Sequence, residues 1–132
     1  MKIIVDTNVV ISGTFFKGKP RDIIIAIANN LFDVYASPEI IAEYKEIMDE
    51  MIERKQGTID RNVLNYFISK LNIIETKSDV KICRDPDDNK FINCALDSKS
   101  LYIVSGDKDL LSIGKYKDIE IITVFEFCEK YL

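Results

Sequence analysis

Histidine and tryptophan are missing from this chain of 132 residues, and cysteine, proline and glycine are scarce, at three, three and five. The lack of histidine excludes a Ser-His-Asp or Cys-His mechanism and any imidazole general base. Acid–base or metal chemistry then falls to Asp, Glu, Lys, Tyr or bound water. Cys83, Cys94 and Cys128 are odd in number, widely spaced and set beside apolar neighbours, without a Cys-x-x-Cys pair. They read as buried thiols in a reducing, cytoplasmic setting, which excludes a disulfide framework and a zinc site.

Long apolar runs are also lacking. None approaches the roughly 20 residues of a membrane span, so no membrane partner is expected. The N-terminus is already a strand closed by an acid, with no basic stretch ahead of a long apolar run, and no signal peptide is expected. Gly13 and Gly18 lack the spacing of a phosphate-binding loop. The stretch DPDDN opens like a calcium loop, but Lys90 stands where that loop needs glycine. Basic excess is missing too, because the net charge is −4. Proteins that grip duplex nucleic acid through many phosphates are normally basic. Charge alone therefore favours another partner, unless a bound cation and a local basic patch do the attracting.

The chain is of a size for one domain spanning residues 1–132, with its own core. Lys2 to Asp6 is a continuous apolar run ending in an acid, the pattern of a strand buried on both faces. A short helix follows from Asn8 to Phe16, then a loop marked by Gly18, Lys19 and Pro20. Ile23, Ile24, Ile27 and Leu31 fall at helical spacing, and Asp33 to Ala36 forms a second strand. Ser37 caps a helix with Pro38 at its first position, running to about Arg54. Gln56 to Asp60 forms a loop holding Gly57, and a helix follows from Asp60 to about Lys70. Ile73 to Glu75 and Val80 to Cys83 are short extended pieces. Pro86 opens a helix through Ser98, Leu101 to Ser105 is a buried strand, and Leu110 and Leu111 sit in a turn or short helix. Ile119 to Ile122 is the last strand, before a terminal helix capped by Thr123. This alternation predicts a parallel sheet with helices on both faces. The helix pair from Ser37 to Leu71 carries Tyr44, Met48, Met51, Tyr66 and Phe67, enough large apolar side chains to suggest a dimer face beside the core.

Ligands of open parallel sheets bind outside the carboxyl ends of the strands. Asp6 and Asp107 stand at such ends, and Asp85, Asp87 and Asp88 gather where a helix opens. Helix capping is the plain reading of that last group, and of Asp6 or Asn8 on the following helix. Yet an acid closing a buried strand is costly unless something pairs with it. Carboxylates drawn from three segments repel one another and raise one another's pKa values. A hard divalent cation relieves that strain, and magnesium or manganese can activate water and clamp a phosphate oxygen without any histidine. Lys17, Lys19 and Arg21 form a small basic cluster in the first loop. A solvated loop is the plain reading, and phosphate contact is the functional one. Asp6-Thr7-Asn8 is also similar to the start of aspartate-nucleophile phosphatases, although Asn8 occupies the place of their second acid.

Four stretches resemble the PIN-domain family in order and spacing: IIVDTNVVIS, SPEIIAEYKEI, DPDDNKFINCAL and IVSGDKDLL. The third segment is similar to that of VapC-type toxins of toxin–antitoxin pairs. The resemblance implies an α/β fold, a three-layer α/β/α sandwich with a five-stranded parallel sheet. It implies Asp6, Glu43, Asp88 and Asp107 as catalytic and metal-binding acids. Thr7, Asn8 and Ser105 would support them, with Asp87 and Asp109 as substitutes where the alignment is loose. It implies Mg²⁺ or Mn²⁺, cleavage of single-stranded regions of RNA, a homodimer and a separate antitoxin chain. A PIN-like module that holds RNA or protein without cutting is the alternative. Without the resemblance, Glu43 is one of four equals in the stripe Glu39, Glu43, Glu46 and Glu50, the wet face of an amphipathic helix.

Overall fold

The computed structural model of the chain describes residues 1–55 and 61–132. The expected loop from Gln56 to Asp60 and the expected helix start at Asp60 lie outside the described residues. The chain runs β1 (Lys2–Val5), α1 (Thr7–Phe15), α2 (Lys19–Ala28), β2 (Asp33–Ala36), α3 (Pro38–Lys55), α4 (Asn62–Ser69) and β3 (Asn72–Ile73). A 3₁₀ turn (Pro86–Asp88), α5 (Asn89–Ser98), β4 (Tyr102–Val104), α6 (Lys108–Ile113), β5 (Lys115–Tyr116), β6 (Ile119–Ile122) and α7 (Val124–Tyr131) follow.

One central sheet, flanked by helices, takes the strand order β3-β2-β1-β4-β6-β5. The described sheet has six strands rather than the expected five, and β5 runs antiparallel to β6 while the other pairs are parallel. The extra strand is two residues long, too short to show any alternation in sequence. Its turn places Lys117 at φ 52°, a conformation that Gly or Asn ordinarily announces. Residues 80–83 form no ladder strand, and β3 starts one residue and ends two residues earlier than expected.

Ile3, Ile4 and Val5 are fully buried, as a strand covered on both faces requires. Tyr44, Met48 and Phe67 are also fully inside, and Met51 is half-buried. Of the five residues expected to suggest a dimer face, Tyr66 is largely exposed and Met51 half-buried, while the core takes the other three. Ser37 accepts the Ile40 amide at 3.3 Å, and Thr123 and Glu126 form a capping box on α7. Gly13 lies where α1 meets α2. A Cβ there would come within 2.8 Å of the Pro20 carbonyl oxygen.

A polar stripe on α5 holds the segment before it. Asn93, itself buried, accepts the Val80 amide at 2.8 Å and donates to the Val80 carbonyl at 3.3 Å. Asn89 accepts the Cys83 amide at 2.9 Å, and Asp97 accepts the amides of Lys77 and Ser78 at 2.6 and 2.9 Å. Four-residue spacing puts these side chains on one helix face. They take the place of the ladder that residues 77–83 do not make. Asn93→Ala removes two of these bonds and strands two main-chain groups. The expected loss is about 1–3 kcal/mol in urea unfolding. A loss below about 0.5 kcal/mol, the size of a surface change, would deny the stripe its structural role.

Candidate active site

The register pairs Ile4 with Ile103 and Val5 with Val104, so β1 and β4 end level with each other. From β1 the chain moves outward to β2 and β3 and then returns to the other side of β1 as β4. The gap between these two carboxyl ends is the topological switch point, where such sheets bind ligands. A cleft of about 260 Å³ opens there. It is lined by Asp6, Thr7, Asn8, Glu43, Ile47, Asp85, Asp87, Asp88 and Asp107.

Asp6 is 5% exposed. Its amide donates to the Val104 carbonyl at 2.9 Å, and Ser105 Oγ donates to its carboxylate at 2.6 Å. Ser105 Oγ in turn accepts the Asp107 amide at 3.0 Å. Asp6 occupies the N-cap position of α1 but makes no side-chain cap. Its carboxylate instead joins the ends of β1 and β4. Asp107 caps α6 through the Leu110 amide at 2.9 Å while also facing the cleft.

Tyr44, fully buried on α3, donates from its hydroxyl to the Val5 carbonyl at 2.5 Å. That bond brings the neighbouring Glu43 over the end of β1. Thr7 Oγ1 donates to one Glu43 oxygen, and Lys90 Nζ lies 2.8 Å from the other. Glu43 is 21% exposed, whereas Glu39, Glu46 and Glu50 are all open to solvent. The stripe therefore contains one member unlike the rest. Asp85 accepts the Asp87 amide at 3.0 Å, a true cap on the 3₁₀ turn. Asp88 makes no cap and turns into the cleft.

Burial pushes the Asp6 carboxyl above its ordinary value, with Glu43 and Asp107 adding to the rise against hydrogen bonds from Ser105 and Thr7. Burial, then Asp107, Asp6 and Asp85, push Asp88 up to about 7. Burial likewise raises the Cys94 thiol to about 12 and, with nearby acids, Cys83 to about 11, so these thiols stay protonated.

The remaining expected residues sit apart. Asp109 is outside the cleft lining and lies 3.9 Å from Arg84. Arg21 donates to the Gly13 carbonyl at 3.0 Å and the Thr14 carbonyl at 2.6 Å, at the end of α1. Lys19 lies over the Phe125 ring at 5.3 Å, and Lys17 is exposed. None of the three lines the cleft. Two residues escaped sequence reasoning as members of the site. Asp85 belongs to the acidic group that the sequence singles out at the helix start, but neither its spacing nor the resemblance picks it out as a ligand. Lys90 carried one signal, a cation in the first turn of α5, where the helix dipole disfavours it.

The donor set fits a hard divalent ion: carboxylates from separate elements, no cationic side chain among the described residues of the cleft lining, and two acids pushed toward protonation. Among the described residues, no group of three or more acidic or thiol side chains is already arranged to hold one ion. Glu43, Asp107 and Asp6 are each tied to a neighbour within the chain.

These features define an α/β protein with a carboxylate-lined cleft at the switch point of its sheet. A sequence model of the PIN domain matches residues 2–109, and the chain belongs to that family. It is 36% identical to the uncharacterised protein MJ1680 of Methanocaldococcus jannaschii, an alignment covering 99% of this chain and 92% of that protein. Its fold is similar to a chain in the crystal structure of VapBC2 from Rickettsia felis bound to a DNA fragment from their promoter. That match has a TM-score of 0.63 at 14% identity, and covers 93% of this chain and 98% of the other.

The raised acids give the metal-free protein a defined pH dependence. A carboxyl held up in the folded state contributes stability that is present below its unfolded value and is lost as pH rises through the folded one. For Asp88 the window runs from 3.8 to about 7. With chelator present, the melting temperature should fall between about pH 4 and pH 7, and Asp88→Asn should flatten that fall. An unchanged slope in the variant would count against the assignment.

Proposed function

We propose that this chain is a metal-dependent endoribonuclease that hydrolyses phosphodiester bonds in single-stranded regions of RNA, as the toxin of a toxin–antitoxin pair. The observation that carries the reading is the joint presence of Asp6, Glu43, Asp88 and Asp107 in one cleft, each from a different part of the chain. RNA as substrate, an antitoxin partner and a homodimer follow from the resemblance to VapC-type toxins.

Asp6, Glu43, Asp88 and Asp107 would hold Mg²⁺ or Mn²⁺, with Asn8, Asp85 and Asp87 at the margin of the cleft. The bound ion supplies an activated water and offsets the charge that builds on the phosphate oxygens. Ser105 fixes Asp6 by donating to its carboxylate, so the most buried acid of the site cannot swing away. Thr7 does the same for Glu43. Asp88, near neutrality in its proton affinity, releases its proton readily when a cation arrives. Lys17, Lys19 and Arg21 are the expected phosphate contacts outside the cleft. The fold engages the side chains of Lys19 and Arg21, whereas Lys17 is exposed.

An aspartate-nucleophile phosphatase gains nothing from this geometry. Asp6 is buried with one oxygen held by Ser105, and a nucleophile must reach the phosphorus.

The direct test incubates the protein with a pool of structured RNAs in Mn²⁺ or in chelator and maps the cut ends. Cleavage that requires the ion is expected. Glu43→Gln should slow it by about 100-fold or more, the scale of a lost catalytic electrostatic group. Glu46→Gln and Glu50→Gln should stay near wild type. If Glu43→Gln cuts as fast as those two, Glu43 leaves the site. Millimolar Mn²⁺ should also raise the melting temperature of wild type and not of Asp6→Asn. RNA left intact in Mn²⁺ would leave a binding module as the better account.

A further inference from the structure

Lys90 is half-buried in an unusual place. Its side chain is 10% exposed and lies in the first turn of α5, where both desolvation and the helix dipole oppose a positive charge. Its ammonium lies 2.8 Å from Glu43 Oε1 and 3.2 Å from Asp87 Oδ1, and donates to the Asp87 carbonyl at 2.7 Å. It reaches these partners from a neighbouring groove of about 320 Å³, which it lines together with Asp87, while the described lining of the acidic cleft holds no cation. The Phe91 ring lies 5.4 Å from the ammonium.

Both oxygens of Glu43 are therefore engaged from within the chain, Oε2 by the Thr7 hydroxyl and Oε1 by Lys90. A divalent ion that takes Glu43 as a ligand must share it with one of these. The hydroxyl is neutral and can stay. The ammonium is repelled by the incoming charge, and it has a second carboxylate and a carbonyl at Asp87 on which to remain.

We propose that Lys90 is a built-in counter-ion that balances Glu43 in the empty site and withdraws toward Asp87 when a divalent ion binds. The inference rests on the nuclease reading above for its ion, and it makes Lys90 a positioning residue whose charge sets how tightly the ion is held. It also accounts for a carboxylate cleft that is not pre-arranged around an ion among the described residues. The internal cation holds Glu43 in place until exchange.

The test is calorimetric titration of Mn²⁺ into the full chain as wild type, Lys90→Met, Lys90→Gln and Lys90→Arg, with folding checked by circular dichroism. Removal of the charge should tighten Mn²⁺ binding by about 10-fold, within the usual range for coupled sites. Lys90→Arg, which keeps the charge, should stay close to wild type. A merely structural lysine predicts the opposite, weaker or unchanged binding in a less stable protein. Should Lys90→Met not fold, Lys90→Gln decides. A wild-type measurement stands beside both: acetylation of Lys90 by acetic anhydride, read by mass spectrometry, should speed up several-fold when Mg²⁺ is added. Neutral variants that bind Mn²⁺ no tighter than wild type, or an acetylation rate indifferent to bound Mg²⁺, overturn the proposal. The RNA assay separates the two readings. Ion-dependent cleavage with no tightening removes the counter-ion alone, and tightening without any cleavage removes the nuclease alone.

Discussion

A carboxylate buried at the end of a parallel strand governs this molecule. Asp6 is almost wholly out of water, and among the described residues nothing cationic meets it directly. An acid in that position must find hydrogen bonds or lose its charge. It finds Ser105, on the first residue past β4, and Ser105 is itself fixed by the Asp107 amide. The need to satisfy one buried group thus ties the first strand to the fourth and brings a second acid to the same edge. The level ending of β1 and β4 and the start of α6 follow from that chain of bonds.

A second tie runs from the other side. The Tyr44 hydroxyl reaches the last carbonyl of β1, and a side chain so deeply buried has no other position. Because Glu43 is its neighbour on α3, one hydrogen bond in the core sets the place of an acid in the cleft. Packing and chemistry are here one constraint, since the apolar helix face that fills the core also delivers the charge. What remains flexible in the design is charge balance. The acids of the cleft outnumber the cations near it, and the fold meets this by partial protonation, by helix caps and by a lysine brought in from the adjoining groove.

The sheet was legible where the sequence carried strong patterns. The run from Lys2 to Val5, the Ser37–Pro38 start of α3 and the Thr123 cap all stand where pattern and capping chemistry placed them. The two-residue β5 was not legible, because no periodicity fits in two residues and Lys117 gives no turn signal. Residues 80–83 read as a short extended piece, and in the structure they join no sheet. Their partners are side chains of α5, which backbone propensity cannot reveal. Asp6, Asp107 and the acidic turn could be picked out from their places at strand ends and at a helix start. Glu43 could not, for its three sister glutamates share its spacing, and only the resemblance separated it from them. Lys90 was legible in principle as a cation on the wrong end of a helix, but the sequence names no partner for it.

The way α5 holds the preceding segment has a consequence for how this protein can change. Asn89, Asn93 and Asp97 grip mainly amides and carbonyls, with the Ser78 hydroxyl as one side-chain addition. Every residue offers those groups except proline, which lacks the amide. The outward side chains of Glu75, Lys77, Asp79, Lys81 and Ile82 are thus left free of scaffolding duty. Substitution along this strap can redraw the charge and shape of the rim beside the cleft while the floor beneath stays as it is. Mutational freedom and structural obligation fall to opposite partners of the same contact: the helix depends on three particular letters, and the strap's outward positions are open to drift.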